Sequence, residues 1–187
     1  MRSTNAHRGF TLIELMITLV VAVVLITVAI PSFRTLMARN ELVTVTNSWV
    51  GALNSARAKA VKLNQTIALC GKDDVPSTGA GSDCSASLAG QVRYLPRSGG
   101  SAEALQAALA GSVSSPLAIV SSTTVRFRGD GIGYRGDNLV TPYSTASGDP
   151  AVVVLCSSAL SSDNARQVQL IAGSTVQVVT ETRANCP

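Results

Sequence analysis

The chain opens on a polar stretch, Met1 to Gly9, and passes at Phe10 into an apolar run that lasts to Ile30. About 20 such residues suffice to cross a bilayer as a helix. From Ser32 to about Gln65 the run thins to a stripe. Phe33, Leu36, Val43, Val50, Leu53, Ala56 and Ala60 recur at three-, four- and seven-residue steps, the spacing of one helix face. Arg34, Arg39, Glu41, Arg57, Lys59 and Lys62 are left for solvent or partners. Gly51 weakens such a helix by about 1 kcal/mol relative to alanine but does not end it. The pattern predicts a single helix of about 50 residues, about 75–80 Å long at 1.5 Å per residue. Trp49, the one tryptophan, reads as a core anchor.

Beyond Gln65 the period shortens. Thr66 to Leu69 is a short apolar strand, and Gly71 to Ser87 is a turn-rich loop. Gln91–Leu95, Leu117–Val120 and Thr124–Phe127 read as strands from their β-branched and aromatic content and the turn residues around them. Ser101–Ala110, rich in Ala and Leu, reads as a short helix, and Arg126 to Asn138 is punctuated by Gly129, Gly131, Gly133 and Gly136. Ala151–Cys156, Arg166–Ala172 and Thr175–Thr182 are three more strands. The first holds a continuous apolar run suited to burial, and the other two alternate as half-exposed strands do. There is no internal repeat. The expected class is α+β: a long N-terminal helix packed on a small antiparallel β-sheet head.

The apolar run carries one charge, Glu14, close to its start. A carboxylate in a membrane costs about 2.5–3.5 kcal/mol at mid-helix on insertion scales, and less near an end. A plain anchor has no use for that cost. An ordinary secretory signal requires a small-residue cleavage pattern after its apolar core, which Ala29-Ile30-Pro31 supplies poorly. A signal anchor explains the basic flank at Arg2 and Arg8, but neither Glu14 nor Gly9-Phe10.

Gly9-Phe10-Thr11-Leu12-Ile13-Glu14 resembles the cleavage and methylation motif of the type IV pilin and pseudopilin family. The resemblance implies cutting between Gly9 and Phe10 by a prepilin peptidase in the inner membrane, then N-methylation of Phe10. It also implies that Glu14 meets the amino terminus of a neighbouring subunit during assembly; two charges costly in apolar surroundings are tolerable as a pair. Pro31 matches the family's helix kink, since a proline ring clashes with the preceding turn. Leu53 to Gln65 running into Thr66-Ile67-Ala68-Leu69-Cys70 is similar to the helix-to-strand junction of the GspH/FimT/FimU type of minor pilins and pseudopilins, a likeness that also implies a hairpin about a glycine turn at Arg126 to Asn138. The implied organisation is a leader at 1–9, a transmembrane or filament-core helix at 10–33, its amphipathic second half at 34–65, and a β-rich head at 66–187. The head would be periplasmic while the helix is stored in the inner membrane, and on the cell surface after assembly. The implied partners are other minor pilins and the major pilin.

Composition narrows the chemistry. The formal charge of +4 counts Arg2 and Arg8; without the first nine residues, 13 basic and 11 acidic side chains leave about +2 over 178 residues. That balance is weak support for nucleic-acid binding. Cys70, Cys84, Cys156 and Cys186 are an even set beyond the membrane segment, which predicts two disulfides in an oxidising compartment. Three pairings can be drawn. Cys70–Cys84, across a short polar loop, and Cys156–Cys186, tying the last strands to the C-terminus, are preferred. No C-x-x-C spacing is present and the one histidine, His7, lies in the leader, so no zinc site, no other cofactor and no Ser-His or Cys-His catalysis is expected. Asp73, Asp74 and Asp83 do not follow an EF-hand spacing. Arg-Gly-Asp occurs at Arg128 and at Arg135, a tripeptide common in glycine turns.

Three functions fit: a minor pilin of a type IV pilus acting in the tip or priming complex, a DNA-binding minor pilin of natural transformation, and a minor pseudopilin of type II secretion. The first is preferred, because the two disulfides favour the pilus. The DNA-binding relatives carry a Gly-Arg-x-Arg motif where this chain has Gly173-Ser174-Thr175-Val176. Arg126, Arg128, Arg135, Arg166 and Arg183 are the remaining candidates for phosphate contact, which would be strongly salt-dependent.

Overall fold

The computed structural model describes residues 9–73, 84–95, 102–135 and 138–187, without the side chains of Val28, Pro31, Leu95, Asn138 and Leu139. The chain divides into two units, Met1–Met37 and Ala38–Pro187. One helix, α1, runs from Leu12 to Leu63. Thr11 starts it: its hydroxyl accepts the Glu14 N–H at 3.3 Å and its carbonyl accepts the Leu15 N–H, as an N-cap residue does for the open first turn.

In the second unit, α1 buries Leu42, Val45, Thr46, Trp49, Ala52, Leu53, Ala56 and Ala60. This corrects the phase of the expected stripe. Phe33 and Leu36 are exposed, and Val43 and Val50 are half-buried flanks. A polar residue misled the pattern: Thr46 lies in the buried line because its hydroxyl donates to the Leu42 carbonyl at 2.6 Å, so no hydrogen bond is lost on burial. The alanines at 52, 56 and 60 leave room for close approach by the strands. Trp49 is completely buried.

The β region forms two antiparallel sheets. The strands are β1 (Thr66–Leu69), β2 (Val92–Leu95), β3 (Glu103–Gln106), β4 (Leu117–Ser122), β5 (Val125–Phe127), β6 (Gly133–Arg135), β7 (Asn138–Pro142), β8 (Val153–Ser157), β9 (Ala165–Ile171) and β10 (Thr175–Glu181). Six are ordered β3-β2-β1-β5-β6-β7 and four β10-β9-β8-β4. Alternation sends Ile67, Leu69, Val92, Val125 and Phe127 to one face of the larger sheet, in register across β2, β1 and β5. Those residues share a core with Trp49 of α1 and with Val153, Leu155, Val168 and Leu170 of the smaller sheet.

The segment expected as a helix at Ser101–Ala110 is instead β3 followed by a 3-10 turn at Ala110–Ser112. Ala and Leu favour a helix only weakly, and an isolated helix of ten residues is marginal in water. Pairing with β2 decides the matter, and Leu105 and Leu109 gain core contacts.

The two sheets are stitched at the β9–β10 turn. Gly173, at φ +67°, donates to the Tyr143 carbonyl at 2.6 Å and accepts from the Gly133 N–H at 2.8 Å. A Cβ there would stand 2.6 Å from Ile132 Cγ2 and 2.8 Å from the Gly133 oxygen. Both the left-handed backbone and the close approach therefore require glycine. Tyr143, wholly buried, donates its hydroxyl to the Pro150 carbonyl at 2.6 Å. Burial raises its pKa above the usual tyrosine range, which keeps the phenol neutral and able to donate.

Candidate processing and assembly site

Gly9 and Phe10 precede α1 in non-helical chain, and Phe10 is 84% exposed. No described atom lies within 4 Å of where a Gly9 Cβ would stand. Arg2, His7 and Arg8 lie outside the described residues. Glu14 sits in the first helical turn, where a carboxylate is stabilised by the positive end of the helix dipole. Thr11 and Glu14 stand at the N-cap and third helical positions, the spacing of a capping box. The sequence reading used the motif's glycine and glutamate and missed its threonine; the T-x-x-E spacing before an apolar run was the available signal.

From Leu12 to Ile26 the large side chains Leu12, Ile13, Leu15, Leu19, Val23 and Leu25 are all exposed. The helix Leu12–Leu63 is long and apolar enough to cross a membrane, and its first turn holds the single charge of the apolar run. The side chain of Pro31, the expected kink, lies outside the described residues; the helix continues through position 31 as one element.

In the second unit Cys70 joins Cys84 with Cα atoms 5.3 Å apart, and Cys156 joins Cys186 at 5.6 Å. The first disulfide spans the polar loop, of which Asp74 and Asp83 are outside the described residues. Asp73 is described and has a structural task. Its carboxylate accepts the Ser122 N–H at 2.8 Å, and its own N–H donates to the Ser122 carbonyl at 2.9 Å. Cys156 is buried on β8. The C-terminal residues are held over that face by Asn164, which donates to the Arg183 carbonyl at 2.9 Å and accepts the Arg183 N–H at 2.8 Å. Among the described residues no group of three His, Cys, Asp or Glu could hold a metal ion.

The five candidate arginines are not equivalent. Arg126 is only 7% exposed in β5, which corrects its place among surface contacts: a buried guanidinium is not available to a phosphate. Arg128 is exposed, 5.5 Å above the Tyr134 ring, within cation–π range. Arg135 lies 3.9 Å from Asp149, and Arg183 lies 3.3 Å from Glu181. Arg166 is half-buried on β9. Near the turn that replaces the arginine motif, Arg57 of α1 donates to the Ser174 carbonyl at 2.9 Å. Lys59 donates to the Leu105 carbonyl at 3.0 Å. The sequence pattern leaves both for solvent or partners; instead Arg57 fastens the β9–β10 turn, and Lys59 fastens β3, to the helix. Only the distant sheet supplies these acceptors, so helix periodicity could not reveal them.

Two family models match the chain. That described as type II transport protein GspH matches residues 45–175, and that described as the prokaryotic N-terminal methylation motif matches residues 4–30. No curated protein matches the chain, and no solved structure does.

Proposed function

The chain belongs to the GspH family of pilin-like minor pseudopilins, and on that premise we propose that it is a minor pilin of a type IV pilus, a subunit of the tip or priming complex that starts assembly. The observation that carries a filament role is the N-terminal half of α1. It is apolar all round, exposed, and led by an exposed Phe10 and a single carboxylate. A helix of that kind needs lipid or other helices to cover it.

In this reading a prepilin peptidase removes residues 1–9 and Phe10 is methylated. The helix waits in the inner membrane with the head in the periplasm. Assembly exchanges lipid contacts for contacts with the helices of the major pilin and other minor pilins, and Glu14 pairs with a neighbour's amino terminus. The two disulfides support a head that works outside the reducing cytoplasm, as both filament readings require. They also support the expectation that Cys156–Cys186 holds the last strands of an exposed head. The second reading, a pseudopilus subunit of type II secretion, is favoured by the description of the matching family. DNA uptake has less support, since Arg126 is buried and the Gly173–Ser174 turn is packed inward.

Deletion of the gene and examination of both systems separates these readings. Loss of surface pili with secretion intact, and the mature chain in the sheared pilus fraction, is the expected result. Normal pili with blocked protein secretion would transfer the chain to the pseudopilus. Glu14→Ala should insert into the membrane normally and fail to enter filaments. Normal incorporation of that variant would remove the role given to Glu14.

A further inference from the structure

Between Glu14 and Arg34 the chain holds 19 residues, and none of them is charged. The two flanking charges are 20 positions apart, about 30 Å along a helix at 1.5 Å per residue. The hydrocarbon layer of a bilayer is also about 30 Å thick. Helix α1 is continuous over the whole interval. Its threonines fit such a layer, because Thr18 donates its hydroxyl to the Leu15 carbonyl at 2.9 Å and Thr27 donates to the Val24 carbonyl at 2.7 Å. Neither hydroxyl needs water, which hydrocarbon lacks.

Glu14 has a place in the assembly reading, and Arg34 has none. Arg34 is exposed, and among the described residues no group bonds its guanidinium. The next carboxylate along the chain, Glu41, comes seven residues later, beyond the three- or four-residue spacing of a helical ion pair. Phe33, Leu36 and Met37 beside it are each more than half exposed, and Met37, three residues on, shares a helix face with Arg34. On the outer flank of a span, an arginine opposes the positive-inside bias that orients the helix. Something at that surface has to offset it.

We propose that Arg34 is a binding site for an anionic phospholipid. In the membrane-stored chain its guanidinium holds the phosphate of a phosphatidylglycerol in the periplasmic leaflet, and with Glu14 at the opposite boundary it fixes the depth of the span. This rests on the membrane reading of α1. A guanidinium offers paired N–H donors that match a phosphate. A zwitterionic lipid carries its own ammonium, which competes for that phosphate; an anionic lipid does not. Phe33, Leu36 and Met37 give the lipid's glycerol and first acyl carbons an apolar surface, along which the arginine stem lies while its charge stays at the headgroups. Sliding the helix either way draws one of the two charges into hydrocarbon, which is costly. Phe10, four residues before Glu14, is thereby held in the opposite headgroup layer, where the proposed cleavage takes place.

The test uses the full chain in nanodiscs of equal parts phosphatidylglycerol and phosphatidylcholine. Lipids retained after mild delipidation, counted by native mass spectrometry, should favour phosphatidylglycerol about fivefold, as for one arginine at an anionic surface. Arg34→Gln should abolish that preference, Arg34→Lys should keep most of it, and Arg39→Gln should leave it unchanged. Depth is read separately, from nitroxides on single added cysteines with both native disulfides intact. A label at Val24→Cys, midway between the two charges, should lie in hydrocarbon, and one at Leu36→Cys in the headgroup layer. Adding Arg34→Leu should draw the label at position 36 into hydrocarbon. A label at position 24 that sits in water would overturn the membrane reading and the proposal together. If that label is buried, the proposal alone is overturned by equal retention of the two lipids, by a preference that follows Arg39 instead, or by a label at position 36 that Arg34→Leu does not move. Each of those results would leave Arg34 for an acidic group on another subunit.

Discussion

The two halves of α1 share one backbone geometry and differ in what covers them. From Leu12 to Met37 apolar side chains point in every direction and stand exposed. From Ala38 to Ala60 most of them fall in a line around Trp49 that lies inside the core, and only Val61 and Leu63 at the helix end are exposed among the large ones. A helix apolar on all sides is stable only where its surroundings are apolar too, whereas a striped helix can be satisfied by its own sheets. The first half therefore depends on something outside the chain. The second half is complete within it.

That contrast can be broken at several points. The largest effect is expected at Gly9: replacement by leucine should block processing, so the chain keeps its first nine residues and forms no filament. Intact-mass measurement of the membrane fraction reads this directly, and a normal mature mass would refute the site. Trp49→Ala should cost the head about 3–5 kcal/mol, as large-to-small changes in a core do. Leu19→Ala should leave head stability within about 0.5 kcal/mol. Denaturant midpoints of the two variants in detergent compare the halves directly, and equal losses would erase the distinction.

Smaller effects sharpen it. Replacing Cys156 and Cys186 together by serine should cost about 2–4 kcal/mol and lower the thermal midpoint of the head. At Gly133 an added Cβ would meet Leu170 Cδ2 at 2.8 Å and Phe127 at 3.0 Å. Gly133→Ala should therefore cost about 1–3 kcal/mol, the usual range for overpacking. At Gly51, on the exposed side of α1, nothing lies within 4 Å. Gly51→Ala should stabilise the helix by about 1 kcal/mol, the opposite sign from the same substitution in the sheet. Calorimetry on the two glycine variants checks both signs.

The long helix and the strands from Ala151 onward were legible because each rests on a local period: 3.6 residues for a helix, two for a strand; the hairpin at Arg126–Asn138 followed from the family resemblance. The stripe between Phe33 and Val50 was misphased, since Val43 and Val50 neighbour the true line and Thr46 hides its place in it behind a hydroxyl. The segment at 103–106 was misread because its residues favour a helix and only the β2 ladder holds it extended. The joining of the two sheets was not legible at all. It depends on Gly173 docking against Gly133 and Tyr143, three positions with no common pattern in the chain.

The sequence by itself determined what depends on neighbours in the chain: an apolar helix with a single early carboxylate, a glycine before its start, and strands with β-branched runs. Tertiary structure decided which charges are used up and which edges stay open. Arg57 and Lys59 look like surface cations until distant carbonyls accept them, and Arg126 alternates into a buried position only once β5 has neighbours on both sides. β10 resembles any other alternating strand in sequence. Its place at the end of the smaller sheet follows from the order in which the strands pair, which no local period records.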